Sequence, residues 1–251
     1  MITPVFYVPE KAAAIQAATD VLIQKGLRFA QVPDPSVTHL LLSVPSFSPN
    51  GSFKDGGRPG ELLPLLPKDI CIIGGNLGIP VLDAYSKLDL LQDPVYLAEN
   101  ARLTAECALR ILGEQLQTSI FGCDILIIGW GRIGKCLAQL LRSMGARVVV
   151  AARKSADLGM LRALGYAAIA MSAIPDILPQ MRVLINTAPA MVLENTGNFS
   201  GLKLDLASVK GIAGEDVVWA RGLPGKMLPE ASGALIARRV LTLLYSREGQ
   251  P

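Results

Sequence analysis

The sequence predicts an α/β fold: a doubly wound parallel sheet with a second, smaller α/β domain ahead of it. Three observations carry that expectation. From residue 123 onward, short apolar runs of strand length alternate with amphipathic runs of helix length. Between the first strand and first helix of that half stands a glycine-rich turn, Gly129-Trp130-Gly131-Arg132-Ile133-Gly134. The residues before 97 alternate in the same manner over a shorter span.

In chain order, residues 5–8 (Val-Phe-Tyr-Val) read as a short first strand. Ala13, Ile15, Ala17, Val21 and Leu22 then recur at helical spacing over 9–25, and Gly26 ends the run. Strands follow at 27–32 and 39–44. Residues 45–60 are rich in Ser, Pro and Gly and read as a long loop. Open α/β sheets hold ligands at the carboxyl ends of their strands, so this loop is either a ligand loop or ordinary solvated surface. A strand at 69–73 ends in Gly74-Gly75, and 81–91 reads as a helix.

Leu97, Ala101, Ala105, Ala108, Leu112 and Leu116 mark a helix over 97–117, with Glu99, Arg102, Glu106 and Arg110 on its polar face. This is the expected bridge between domains drawn as 1–96 and 97–251. Two lobes with a cleft between them are expected, loop 45–60 facing Gly129. Beyond the bridge, strands are predicted at 123–128, 147–151, 167–170, 182–186, 202–206 and 216–220. Helices are predicted at 132–144, 156–164, 174–178, weakly at 190–195, and at 229–245, the last crossing back to the first lobe.

The glycine turn is the centre of this arrangement. Gly129 allows a sharp turn out of the strand, Gly131 lets a pyrophosphate approach the backbone, and Gly134 lets helix and strand pack closely. The N–H groups at the helix start then face the phosphates, and the helix dipole favours negative charge there. A Rossmann-type dinucleotide site follows. After the next strand come Arg153, Lys154 and Ser155, where an NAD site usually places Asp or Glu for the ribose hydroxyls. Two cations and a hydroxyl, with no carboxylate, point instead to the 2′-phosphate of NADP. The ends of the fourth and fifth strands bring Asn186, Thr187, Ala188 and Pro189, then Asp205, Leu206, Ala207 and Ser208, toward the same edge. Gly222, Leu223, Pro224 and Gly225 follow the sixth.

Composition excludes several classes. Hydrophobic residues make up 51% and charged ones 18%, so a large core is available and disorder is not the default. No apolar run approaches the ~20 residues of a bilayer span, despite a mean hydropathy of +0.40. Met1 leads into Thr3-Pro4 rather than a basic and then apolar leader, so no signal peptide is read. A net charge of +3, evenly spread, gives no nucleic-acid footprint. Cys71, Cys107, Cys123 and Cys136 make no CxxC pair and no metal-ligand spacing. They read as buried thiols in a reducing, cytoplasmic setting, and no metal is expected. The single histidine, His39, sits at the mouth of a strand and reads as structural rather than as a general base.

Taken together, these segments resemble the dipicolinate synthase family of spore-forming bacteria, in particular its NADP-binding A component. The likeness rests on the 129–134 turn, Gly145-Ala146, Ala152-Arg153 with Ser155-Ala156, and Ile185-Asn186-Thr187 with Pro189. Asp205-Leu-Ala-Ser208, Gly222-Leu-Pro-Gly225 and Thr104-Ala105-Glu106 complete it, covering about 97–245. The resemblance implies an NADP-dependent oxidoreductase that makes dipicolinate from a dihydrodipicolinate-type precursor during sporulation. A flavoprotein-like second subunit is implied as partner, on top of any homo-oligomer. It carries cofactor contacts onto Gly131, Arg132, Ile133, Arg153, Ser155, Asn186–Pro189, Ala207, Ser208, Leu223 and Pro224. After Ser208 the family has Arg-Pro-Gly-Gly, whereas this chain has Val209-Lys-Gly-Ile-Ala; its first domain is also shorter.

A dicarboxylate substrate needs cations, hydroxyls or N–H groups. Ser46, Ser48 and Lys54 of the long loop, Arg102 of the bridge, and Ser208 or Lys210 are the candidates. Glu106 is the candidate for proton handling, against the plain alternative of a surface glutamate; Ser208 stands beside it as a catalytic candidate. Two other readings stay open. A D-2-hydroxyacid dehydrogenase would need a histidine–carboxylate pair near the C-terminus, and no histidine follows His39. A protein that binds or senses NADP(H) without turnover needs no such group.

Overall fold

The computed structural model of the protein describes residues 4–54 and 57–248. Met1–Thr3, on which the reading of the N-terminus rests, Asp55 and Gly56 of the long loop, and residues 249–251 lie outside the described residues. The elements run β1 (Val5–Tyr7), α1 (Ala13–Gln24), β2 (Arg28–Phe29), β3 (His39–Leu41), α2 (Pro59–Leu62), β4 (Cys71–Gly74), β5 (Ser86–Asp89) and α3 (Pro94–Gln115). They continue β6 (Asp124–Ile128), α4 (Arg132–Ser143), β7 (Arg147–Ala152), α5 (Ser155–Ala163), β8 (Ala167–Ala170), α6 (Ile174–Ile177), β9 (Val183–Asn186), β10 (Leu202–Asp205) and β11 (Val217–Trp219). Helices α7 (Leu223–Met227) and α8 (Pro229–Glu248) finish the chain. Residues 1–100 with 224–251 make one compact unit, and 101–223 make the other. No helix among the described residues is long and apolar enough to cross a membrane.

The first unit holds a five-stranded sheet in the order β2-β1-β3-β4-β5, every pair parallel. Its core is apolar on both faces of the sheet, with Phe6, Leu40, Leu41, Ile72 and Ile73 fully buried. The helix predicted at 81–91 is absent. Its place is taken by β5 between two 3-10 turns, Pro80–Leu82 and Leu90–Gln92. Backbone pairing decides this: Cys71 to Gly74 register with Ser86 to Asp89. The Asp89 carboxylate then accepts from the N–H groups of Asn76, Leu77 and Leu91, fixing both flanks as turns. A helix of that length has too little intrinsic stability to compete with a sheet edge.

The last helix belongs to the first unit, to which it was expected to cross back, although the domain boundary drawn from the sequence left it with the second. Small residues let α8 lie close on α1. A Cβ on Gly233 would come within 2.6 Å of the Ala14 carbonyl and the Ala17 side chain. Asp93 completes the lock. It caps α3, accepting from Val95 N at 2.8 Å and Tyr96 N at 3.0 Å, with Pro94 at the first helical position. Its other oxygen takes the Arg239 guanidinium of α8 at 3.1 and 2.5 Å. Burial alone would push the Asp93 carboxyl up, but Arg239 and the two N–H groups outweigh it and hold it below its usual value.

That depression sets a pH dependence. The stability Asp93 contributes is fully present above its unfolded pKa of about 3.9 and is lost as pH falls through the lower folded value. Arg239→Met leaves the carboxylate largely buried without its cation. It is expected to destabilise the first unit by about 3 kcal/mol at neutral pH. Urea melts of wild type and variant from neutral pH to below pH 4 check this: the gap between the two should narrow in acid. A constant gap would remove the ion pair from the explanation.

The second unit carries six parallel strands in the order β11-β10-β9-β6-β7-β8, which is the doubly wound order of dinucleotide-binding sheets. Ile125 to Ile128 of the central β6 are fully buried, as a strand covered on both faces requires. Helix α4 buries Gly134, Leu137, Ala138 and Leu141, one face at helical spacing. No helix forms over 190–195. That stretch runs extended instead, Leu193 bridging in parallel to Ile212. Val192 N and Leu193 N donate to the Gly211 carbonyl, and Ala213 N donates to that of Leu193.

Candidate functional site

The glycine turn forms at the carboxyl edge of the second sheet, where β6 leads into α4. Gly129 has φ +103°, and its N–H donates to the Ala151 carbonyl of β7 at 2.9 Å. A Cβ there would press on Thr187 Oγ1 at 2.7 Å, and one on Gly134 would lie 2.3 Å from the Gly129 carbonyl. Over Gly131 the situation is reversed, because a Cβ would meet nothing within 4 Å. Gly131 is the N-cap of α4 and offers no side-chain cap, so the first-turn N–H groups of Arg132 and Ile133 face that open ground. Two glycines thus serve internal packing and the middle one leaves room for a ligand. An anionic diphosphate fits the arrangement.

Arg153, Lys154 and Ser155 reach the same edge. The Gly129–Ala151 hydrogen bond holds the turn against the end of β7, and Arg153 follows that strand directly. Lys154 is the N-cap of α5 and Ser155 its first residue; all three are exposed. Trp130 sits edge-on to Tyr166, ring centroids 5.5 Å apart, with Lys135 over its face at 5.8 Å. The turn residue with the largest side chain is thereby anchored toward the β8 side of the sheet.

Asn186 and Thr187 lie at this edge, but their side chains are committed within the unit. Asn186 Nδ2 donates to the Ala188 carbonyl and to Asp205 Oδ1, both at 3.0 Å, and its Oδ1 accepts from Ala188 N at 2.9 Å. Thr187 Oγ1 donates to the Ile128 carbonyl at 2.9 Å. Both residues shape the 186–189 turn, leaving Pro189 exposed beside it.

Asp205 organises the neighbouring loop, a role not evident from the sequence. It is fully buried, and Oδ1 accepts from Asn186 Nδ2 and Ala207 N. Oδ2 accepts from Gly211 N at 2.6 Å and Ile212 N at 3.1 Å. Gly211 has no room for a side chain, since a Cβ would lie 2.4 Å from both the Ala190 carbonyl and Asn186 Nδ2. The segment after Ser208 that departs from Arg-Pro-Gly-Gly therefore closes onto a carboxylate. It holds Ser208 exposed at its crest, with Ala207 buried beneath, and Trp219 Nε1 donates to the Ala207 carbonyl at 3.1 Å. An aspartate ending an apolar strand, with a glycine six residues on, is the signal that could have found this.

The remaining candidates are scattered. Arg102 and Glu106 form an ion pair one turn apart on α3. Burial pushes the Cys136 thiol of α4 up and the Arg102 guanidinium draws it partly back, so Arg102 lies toward the first turns of α4. Lys210 Nζ donates to the Gly214 carbonyl at 2.8 Å. Leu223 and Pro224 open α7 and are buried. In the first unit, Ser46 is fully buried: its hydroxyl donates to the Ser43 carbonyl and accepts from Gly75 N. Ser48 is half-buried, and Lys54 is exposed. His39 lies in β3 stacked on Phe6, with Nδ1 against Thr38 Oγ1 at 2.8 Å.

Residues 98–199 match the NAD-binding domain of the D-isomer-specific 2-hydroxyacid dehydrogenases. The match supports a nicotinamide dinucleotide as the kind of cofactor for the second unit, which is similar to that of NAD(P)-dependent oxidoreductases. It is 29% identical over 168 residues to the A component of dipicolinate synthase from Bacillus subtilis (strain 168). That stretch spans 60% of this chain and 56% of the relative, little more than half its length. The crystal structure of the dipicolinate synthase A chain from Bacillus subtilis aligns with a TM-score of 0.83 at 19% identity, over 100% of this chain and 98% of that one. The structure of the corresponding dipicolinate synthase component from Bacillus halodurans aligns with a TM-score of 0.83 at 20% identity, over all of both chains. Both share the fold.

Proposed function

We propose that the protein is an NADP-dependent oxidoreductase that forms dipicolinate from a dihydrodipicolinate-type precursor. The observation that carries the cofactor choice is the pairing of open backbone at Gly131 with Arg153, Lys154 and Ser155 on the same sheet edge. Bound NADP would supply a hydride acceptor at C4 of its nicotinamide. The chain would hold the diphosphate on the first-turn N–H groups of α4 and the 2′-phosphate on Arg153 with Lys154 or Ser155. Ala207 and Ser208, fixed by Asp205, would border the nicotinamide side. The substrate loses a hydride and a proton and its ring becomes aromatic, so orientation and carboxylate binding are the main demands on the protein. Arg102 and Ser208 of the second unit are the carboxylate contacts proposed.

The similarity to one component of a synthase with more than one kind of chain supports a working partner, which we take to be flavoprotein-like. A non-catalytic NADP(H)-binding role is the second reading, favoured by the departure from Arg-Pro-Gly-Gly after Ser208. Mixing the purified chain with NADP and the dihydrodipicolinate-type precursor, with and without the partner, separates the two. Growth of reduced-nicotinamide absorbance in proportion to dipicolinate supports the enzyme. Tight NADPH binding with no turnover in either mixture supports the binding role instead.

A further inference from the structure

Two cations near the loop at Ala207 and Ser208 are spent on the protein itself. Lys203 pairs with Asp216, and Lys210 Nζ donates to the Gly214 carbonyl at 2.8 Å. Arg221 differs. It stands two residues beyond β11 and is exposed. No carboxylate among the described residues forms an ion pair with it. It rests instead on an aromatic face, the guanidinium carbon lying over the Trp219 ring at 5.1 Å from its centroid.

Trp219 is itself fixed to the loop that carries Ser208. It is paired in register with Asp205 across β10 and β11, and Ala220 N donates to the Asp205 carbonyl at 2.8 Å. Trp219 Nε1 donates to the Ala207 carbonyl at 3.1 Å. The chain ends that lead to Ser208 and to Arg221 are thus neighbours, at the carboxyl edge where open parallel sheets hold ligands. The Trp219 side is still 44% exposed, so the ring carries the cation without enclosing it. A cation–π contact draws on the charge of a guanidinium and leaves its N–H groups to other partners. It also restricts a side chain that would otherwise lose rotamer freedom only when a ligand arrives. The fork is held in place and open, and a carboxylate, bound by two parallel hydrogen bonds, is the group it matches.

We infer that Arg221, carried on Trp219, is a carboxylate-binding site of the second unit and takes one of the two carboxylates of a ring diacid. The choice of ligand rests on the proposed function. Ser208, Trp219 and Arg221 all lie within residues 101–223, so the site is complete in one unit. A diacid can use Arg221 and a second acid-binding group together, whereas a monoacid can use only one of them. Arg221 is therefore a residue that sets the preference for diacids.

Two ring acids provide the test: dipicolinate, and picolinate, which lacks one of its two carboxylates. Each is titrated calorimetrically into the full chain, as wild type, Arg221→Gln and Arg221→Lys. NADPH affinity and the urea midpoint are measured on the same preparations. Dipicolinate should bind wild type at least about tenfold more tightly than picolinate, as one charge-assisted contact would give. Arg221→Gln should lose that preference, and Arg221→Lys, which keeps the charge but not the fork, should retain part of it. Both variants should keep the wild-type NADPH affinity and urea midpoint. Equal or absent binding of the two acids by wild type overturns the site, as does an Arg221→Gln variant that keeps the preference. A loss shared by acid binding, NADPH binding and the urea midpoint also overturns it, since it makes Arg221 a support of the fold. The acid series decides Arg221 whether or not NADPH binds. Failure of wild type to bind NADPH is a separate result and counts against the proposed function.

Discussion

Asp205→Ala is expected to destabilise the second unit by about 4 kcal/mol or more, because it leaves buried hydrogen-bond donors without an acceptor at roughly 1–3 kcal/mol each. Those donors are Asn186 Nδ2 and the N–H groups of Ala207, Gly211 and Ile212. Asp205→Asn keeps the shape, but only one of its side-chain atoms still accepts, so about 2 kcal/mol is expected. Ser208→Ala is the control, since that side chain is exposed and should leave stability within about ±0.5 kcal/mol. Urea melts followed by tryptophan fluorescence check the series, because Trp219 is hydrogen-bonded to the loop in question. Wild-type stability in Asp205→Ala would mean that the loop is held by something other than this carboxylate.

Arg153→Ala is expected to weaken NADPH binding by roughly ten- to a hundredfold while leaving NADH nearly unchanged. A hydrogen bond between charged partners contributes about 1.5–3 kcal/mol, and each 1.4 kcal/mol is a factor of about ten in affinity. NADH has no 2′-phosphate for the guanidinium to find. Arg153→Asp should go further: it repels the 2′-phosphate and offers NADH a ribose acceptor, the role acidic residues play at this position. Lys154→Ala and Ser155→Ala should each produce a smaller loss in the same direction. Calorimetric titration of both cofactors into all four variants measures the pattern. If Arg153→Ala weakens both cofactors equally, the residue supports the fold of the edge rather than the phosphate.

The parts of this molecule legible in the sequence are those fixed by local chemistry. The turn at Gly129–Gly134 is one, because only glycine fits at two of its positions and a strand and helix must flank it. The alternation of the second half is another, since strands buried on both faces leave unbroken apolar runs such as Ile125 to Ile128. Residues 81–91 misled because their apolar spacing suits a helix, while pairing with Cys71 to Gly74 is a tertiary fact. That α8 crosses back to the first unit was read, but the contact that fixes it was not, since the Asp93–Arg239 bond joins residues far apart in the chain. At the site, residue types were legible but their partners were not. Asn186 looked like a cofactor contact and proves to be bonded to Asp205 and Ala188; Ser46 looked like a substrate contact and proves to tie two strand ends.

The central claim is that the edge formed by Gly131 and Arg153 holds NADP(H) in preference to NAD(H). Parallel titrations of the unmodified full chain with NADPH and NADH, under identical salt, test it most directly. NADPH should bind at least about tenfold more tightly, the worth of one charge-assisted contact to the 2′-phosphate. Equal affinities, a preference for NADH, or no binding of either would contradict it.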